Sequence, residues 1–201
     1  MPFGRLLMRR QRGDDLLAVV RSTPFGPVAL LWSIVSGQPR VMRVLLSRPG
    51  RSAEELVSGA FPQARSAEVP QIGALADDIR SFLSGEDIRF SLSMIDLGMC
   101  PKFQQEVLRA EHRIPRGMVS TYADIAGHLD RPRAARAVGN ALARNPFPVI
   151  IPCHRAIRSD GSLGGFQGGI AMKRRLLEME GLELKQAGMV DLGAGRLRYL
   201  F

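Results

Sequence analysis

A chain of 201 residues can bury a core as one large domain or two small ones without disulfide staples. Its formal net charge of +9, almost all guanidinium because Lys102, Lys173 and Lys185 are the only lysines, favours a polyanionic partner without requiring one. The two cysteines and three histidines stand at no zinc-ligand spacing and in no secreted disulfide framework, which predicts free thiols, no metal and a reducing, cytoplasmic setting.

The first thirteen residues carry Arg5, Arg9, Arg10 and Arg12, and their apolar run, residues 6–8, is too short for a signal-peptide core or a membrane span. Residues 16–47 read as three strands: apolar runs at 16–20, 28–34 and 41–46, separated by a turn at Thr23-Pro24-Phe25-Gly26 and a break at Gly37-Gln38-Pro39. That is the pattern of an antiparallel meander. Ser52 with Glu55 three positions on makes a capping box that opens a short helix toward Phe61. Ile72, Leu75, Ala76, Ile79, Phe82 and Leu83 share one helical face before Gly85, so two helices are predicted to cover the sheet. Phe90, Leu92 and Met94 alternate with Ser91 and Ser93 and predict a further strand. The domain boundary is placed near Leu97, dividing an α/β domain of residues 1–97 from residues 98–201.

Beyond it, Phe103, Val107, Ala110 and Ile114 keep helical spacing until Pro115-Arg116-Gly117. Thr121 with Asp124 starts a second short helix, and Pro132 opens a third over residues 133–144, rich in small side chains. The pair reads as a helix-turn-helix or as an ordinary helical hairpin, and spacing alone leaves both open. Ile150-Ile151-Pro152-Cys153-His154-Arg155 then sets a thiol beside an imidazole, ahead of a glycine-rich stretch, residues 161–169. A histidine can take a thiol's proton and leave a strong nucleophile, although a cysteine after two isoleucines also suits a buried small hydrophobe.

These residues resemble the O6-alkylguanine-DNA alkyltransferases, the methylated-DNA–protein-cysteine methyltransferase family. The resemblance runs in order and spacing through Phe103-Gln104, Ile114-Pro115-Arg116-Gly117, Thr121-Tyr122, Arg133-Ala134-Ala135-Arg136-Ala137-Val138-Gly139, Asn145-Pro146, Pro152-Cys153-His154-Arg155, Gly161-Ser162-Leu163-Gly164-Gly165-Phe166 and Leu176-Leu177-Glu178-Met179-Glu180-Gly181. With the weaker Thr23-Pro24-Phe25-Gly26-Pro27 pattern it covers roughly residues 16–181. It implies a ribonuclease-H-like α/β domain, an antiparallel sheet with helices, followed by a mostly helical, winged-helix-like domain carrying the helix-turn-helix.

The activity implied is repair by one irreversible transfer of an alkyl group from O6-alkylguanine, in a nucleotide flipped out of the duplex, to Cys153. His154 matches the water-linked base, Glu180 the carboxylate behind it, Tyr122 the phenol that assists the departing guanine, and Asn145 the brace of the turn carrying the nucleophile. Arg136 matches an intercalating finger. Thr121, Ala134, Ala135, Ala137 and Gly139 accompany it on the DNA-binding surface, docked in the minor groove of double-stranded DNA. Cys153, Ala156, Phe166 and Gln167, with Tyr122, would line the base pocket. Taken one at a time, Glu180 is equally a helix-end charge, Arg136 a surface arginine, Tyr122 a packing residue and Asn145 a helix cap. Phe166 stands where the family commonly has tyrosine, and Leu108 where many members have tryptophan. The expected form is a monomer with no cofactor and no membrane partner. A non-catalytic lesion binder, a cysteine hydrolase on Cys153, His154 and Glu180, and a sequence-reading DNA regulator are the competing functions.

Overall fold

The computed structural model describes residues 16–185, 188–191 and 198–201. The arginine-bearing start and part of the tail beyond Gln186 lie outside the described residues. The chain divides into two compact units between Met99 and Cys100.

In the first unit, strands β1 (Leu17–Arg21), β2 (Val28–Val35) and β3 (Gln38–Leu46) form the antiparallel meander. Gln38 and Pro39, expected as a break, belong to β3, because Ser36 and Gly37 alone make the reversal, both at positive φ (52° and 78°). The sheet is mixed rather than purely antiparallel: β4 (Arg65–Ser66) pairs parallel with β1, giving the order β3-β2-β1-β4. A strand of two residues is too short to leave a periodic signal in sequence.

Helix α1 (Ala53–Ala60) starts at the expected capping box: the Ser52 hydroxyl accepts from Glu55 N–H, and Ser52 N–H donates to the Glu55 carboxylate at 2.8 Å. It covers the face bearing Ala18, Ala29, Leu31 and Leu45, where Leu56, Val57 and Phe61 also pack. Alternation sends Val19, Leu30 and Val44 to the other face, where α2 (Pro70–Leu83) buries Ile72, Leu75, Ala76, Ile79, Phe82 and Leu83.

Residues 90–94 form no strand. Ser91 accepts from the Ser93 N–H and winds Leu92–Met94 into a 3-10 turn. Serine and apolar residues alternate there as in a strand, but a hydroxyl that closes a local turn competes with ladder formation and wins.

In the second unit, α3 (Lys102–His112) stops short of the still-buried Ile114. A two-residue parallel pair, β5 (Ser120–Thr121) with β6 (Ala156–Ile157), ties the start of α4 (Tyr122–His128) to the segment that follows Cys153. Helix α5 (Ala135–Ala143) begins two residues later than expected. Asp130 at φ 55° and the Arg131 N–H bond to Ala126 O (2.9 Å) close α4, and Pro132 stays in the turn. Helix α6 (Ile170–Met179) packs Leu177 with Val119, Ile157, Leu163 and Leu182. The last residues return to α4: Tyr199 N–H donates to Val119 O at 2.7 Å, and the Phe201 ring stacks on His128 at 4.2 Å. Among the described residues no helix is long and apolar enough to cross a membrane.

Removing the capping box tests the local logic of the first unit. Ser52→Ala is expected to lower stability by about 1 kcal/mol, read from urea unfolding, with Glu55→Ala costing less because only the reciprocal bond is lost.

Candidate active site

The site is built on two turns and one helix end. Asn145 follows α5 and organises the first turn: its Nδ2 donates to Ile151 O at 3.1 Å, and its Oδ1 accepts from Phe147 N–H at 2.9 Å. Between them Val149 sits at φ 76°, a conformation that costs a β-branched residue roughly 1–3 kcal/mol and persists only when its surroundings hold it. The side chain of Gln167 donates to Asn145 O, pinning the glycine-rich loop to the same turn.

Cys153 then opens a 3-10 turn, Cys153–Arg155, that is buried throughout. His154 Nε2 lies 2.8 Å from Glu180 Oε1, and both side chains are wholly buried. Glu180 caps the carboxy end of α6. Burial works to raise its pKa, but the His154 hydrogen bond and then Arg155 outweigh that and hold it at about 2. An ionised carboxylate accepts only, so Nε2 carries the proton and Nδ1 is the basic nitrogen. Burial pushes the imidazole below its ordinary value, against the pull of Glu180, so the ring is neutral at neutral pH.

Arg155 completes this cluster. Its Nε and Nη2 donate to Glu180 at 2.9 and 2.8 Å, and its Nη1 donates to Ile114 O at 2.6 Å. The Cys153 thiol, also buried, is pushed up to about 12 by desolvation, with Asn145 pulling it down. At rest it is a thiol, and ionisation must be drawn out by a base.

Tyr122, the first residue of α4, faces the same region. Desolvation raises its phenol to about 12, so it is a neutral donor. A Cβ on Gly164, itself at φ 67°, would lie 2.5 Å from the phenolic oxygen, and one on Gly139 would meet the ring at 3.9 Å. Gly164 therefore lets the loop close on the phenol, whereas a side chain at Gly139 would only reach ordinary contact with the ring. Phe166 sets its ring edge-on to His154, with centroids 6.2 Å apart.

The remaining expected residues divide by exposure. Arg136 and Ala137 are exposed on α5, with Ala134, Ala135 and Gly139 half-buried beside them. Thr121 is only 1% exposed: its hydroxyl donates to Asp124 Oδ2 at 2.7 Å and accepts from Asp124 N–H, so it caps α4 and has no surface to offer a partner. Ala156, expected to line the base pocket, has its carbonyl engaged by Lys173 Nζ at 2.6 Å.

Sequence reading missed four participants. Arg155 appeared only as a letter of the motif. Gln104 donates to Ala141 O and Arg144 O, both at 3.0 Å, and so caps the end of α5. Lys173 and Glu111 are wholly buried charges on α6 and α3. A charge on the apolar face of each helix is the signal that could have found them. Among the described residues no three His, Cys, Asp or Glu side chains cluster as a metal ion would need.

A buried cysteine on a tight turn, a histidine–carboxylate pair beside it and a short helix pair with an exposed arginine define a cysteine-centred helical unit joined to an α/β unit. Residues 102–182 match the family described as 6-O-methylguanine DNA methyltransferase, DNA binding domain. The methylated-DNA–protein-cysteine methyltransferase of Methanothermobacter thermautotrophicus is 44% identical over 137 residues, 68% of this chain and 77% of that protein. The crystal structure of the Mycobacterium tuberculosis O6-methylguanine methyltransferase superposes with a TM-score of 0.66 at 33% identity, covering 82% of this chain and 92% of that one. A structure of the M. tuberculosis OGT in complex with DNA superposes at 0.62, with 32% identity over 81% of this chain and 91% of that one. The chain belongs to the methylated-DNA–protein-cysteine methyltransferase family.

Because the folded pKa of Glu180 is depressed, the stability it contributes is complete above its ordinary value of 4.5 and is lost as pH falls through about 2. Glu180→Gln leaves the Arg155 guanidinium buried without a counter-charge, which should cost about 3–5 kcal/mol at pH 7. In urea unfolding, the gap between parent and variant should narrow as the pH is taken down from 5 toward 2. A gap independent of pH would remove the ion pair as its cause.

Proposed function

We infer that this protein repairs O6-alkylguanine in DNA by moving the alkyl group, once and irreversibly, onto Cys153. The observation that carries the reading is the buried turn in which Cys153 adjoins the His154–Glu180 pair, in a chain of this family.

Neutral His154, directly or through a water, takes the thiol proton, and ionised Glu180 stabilises the imidazolium that results. The thiolate attacks the alkyl carbon. An S–C bond forms, the C–O6 bond breaks, and its electron pair goes to the guanine oxygen. Tyr122, a neutral phenol, donates to the purine as that charge develops. The purine gains one proton and the thiol gives one up, so S–H and O–C are exchanged for S–C and N–H. A thioether has no hydrolysable bond that would restore the thiol, so each molecule acts once. Asn145 holds the Cys153 turn, while Phe166 and the Gln167-pinned loop border the base. No step calls for a cofactor.

The target atom lies inside the base stack, so the nucleotide has to be extruded. Arg136, exposed on α5 beside Ala134, Ala135, Ala137 and Gly139, is assigned as the finger that fills the gap, with the small residues admitting the helix to the minor groove of double-stranded DNA. Thr121 is left out of this surface because it is buried. The sheet order β3-β2-β1-β4 with helices on both faces supports a ribonuclease-H-like amino-terminal domain. The α4–α5 pair beside a small sheet supports a winged-helix-like carboxy-terminal one. The protein is proposed to work as a cytoplasmic monomer.

Mass spectrometry after incubation with methylguanine-containing duplex should show one methyl on Cys153 and none on Cys100. Methyl on Cys100 alone, or repeated product release, would overturn the assignment. Arg136→Ala should slow single-turnover repair of the duplex, where unstacking costs a few kcal/mol, yet react with free O6-benzylguanine at nearly the parental rate. His154→Ala should slow both substrates by a similar factor. Equal losses for Arg136→Ala on both would instead make that arginine a support of the active-site loop.

A further inference from the structure

Glu111 has no place in this mechanism, yet it is fully buried within the unit that carries it. It lies on the inner face of α3, is 0% exposed, and no side chain hydrogen-bonds to its carboxyl oxygens, which have only the Ala156 backbone N–H beside them. A buried carboxyl with so little support is costly, and a leucine would fill the position without that penalty. What surrounds it gives it a use. Lys173 faces it from α6, Arg155 and the Cys153 thiol from the 3-10 turn, the Ala156 N–H from β6, and Tyr122 from α4. From α5 only Val138, Ala141 and Leu142 reach the interior.

Two of these cations differ in what they are committed to. Arg155 is bound to Glu180 and Ile114 O. Lys173, 0% exposed, donates to two neutral carbonyls, Ala156 O and Leu163 O, so no carboxylate is in hydrogen-bond contact with its charge. Apart from the Arg155–Glu180 ion pair, the interior around the acceptor sulfur thus holds one ammonium and one further carboxyl, each within electrostatic reach of the other and of the thiol.

We propose that Glu111 and Lys173 form a buried acid–base pair behind Cys153, and that the charge on Glu111 sets how readily the acceptor ionises, giving alkyl transfer an alkaline limit. Glu111 is a positioning residue of charge, acting through Cys153, and the thiol proton still leaves with His154. Burial raises the Glu111 carboxyl to about 8 and lowers the Lys173 ammonium to about 8. Below that pH the pair is a neutral acid and an ammonium, net +1. Above it the pair is a carboxylate and a neutral amine, net −1. Lys173 favours the Cys153 thiolate and ionised Glu111 opposes it. A free thiol grows more reactive as pH rises, so this pair works against the intrinsic trend.

The proposal rests on Cys153 being the alkyl acceptor, and two readouts separate the two claims. The first is Cys153 ionisation followed by ultraviolet thiolate absorbance from pH 6 to 10, in parent and Glu111→Gln, with Cys100 common to both. More thiolate at pH 10 in the variant is expected, and superimposable curves overturn the pair. The second is the single-turnover rate on methylguanine-containing duplex over the same range. The variant-to-parent ratio should be near one at pH 6.5 and rise to about tenfold at pH 9.5, the size of a one-unit shift in the thiol. A ratio constant with pH makes Glu111 merely structural and sinks the proposal. More thiolate in the variant, with no methyl transferred by either protein at any pH, refutes the functional reading instead.

Glu111→Leu guards against a folding artefact: it should melt at a higher temperature than the parent at pH 9 and show the same rise in ratio. The carboxyl carbon of Glu111 in the intact parent, followed by carbon-13 NMR, should titrate above pH 7. A midpoint near the ordinary value of 4.5 overturns the pair without any variant.

Discussion

The Glu180 carboxylate is the tie on which the reactive half of this protein depends. It sits where α6 ends, and two other stretches of chain meet on its two oxygens: the His154 imidazole and the Arg155 guanidinium from the 3-10 turn, and the Gly117 N–H from the loop after α3, at 3.4 Å. Arg155 extends the tie to Ile114 O, and Arg116 donates to Met179 O one residue before the carboxylate. Interaction with a neutral imidazole and a guanidinium keeps the carboxylate ionised despite its burial. In the mechanism proposed above, the same negative charge that holds the segments together stabilises the imidazolium formed when His154 takes the proton from sulfur. Structural support and stabilisation of the reacting state are one interaction, so they cannot be varied independently.

A second constraint holds the turn that leads into Cys153. Asn145 spans its turn with one donor and one acceptor, and Val149 is held at positive φ between those two bonds. The conformation is unfavourable for valine, and the bracing offsets it. Gln104, reaching from α3, anchors the chain just before Asn145, and Gln167, reaching from the glycine-rich loop, anchors the Asn145 carbonyl itself. The sulfur therefore sits at the end of a turn that its surroundings over-determine. That suits a nucleophile that must approach one carbon from one direction.

The two units differ in how they are filled. The amino-terminal unit buries aliphatic and aromatic side chains on both faces of its sheet, and Ser33 is its one buried polar side chain among the described residues. The carboxy-terminal unit buries Glu111, Ser120, Thr121, Asn145, His154, Arg155, Lys173 and Glu180. Thr121, Asn145, His154, Arg155, Lys173 and Glu180 find partners in one another, in backbone groups and at helix ends, whereas the Glu111 carboxyl and the Ser120 hydroxyl have no side-chain partner in this low-dielectric interior. Apolar packing tolerates substitution of similar volume, whereas a polar network specifies its members by geometry and charge.

Sequence by itself determined what depends on neighbours along the chain. The meander from Leu16 to Leu46, the capping box at Ser52, the α2 face from Ile72 to Leu83 and the α4 start at Thr121 were legible, because periodicity and capping are written within a few residues of where they act. Ordered motifs were also enough to recognise the family. The sequence misled where short-range signals conflicted: Ser91 and Ser93 imitated a strand, Pro132 stood outside the helix it was expected to open, and β4 was too short to show. The resemblance paired Glu180 with His154, twenty-six residues earlier, and only the tertiary structure decided that the contact is made to Nε2, at 2.8 Å, with Arg155 on the same carboxylate. It also turned Thr121 inward and buried Glu111 and Lys173 within electrostatic reach of the Cys153 thiol. The reason is physical. The effect of a charge depends on the dielectric and the partners around it, and residues far apart in the chain supply both once it has folded.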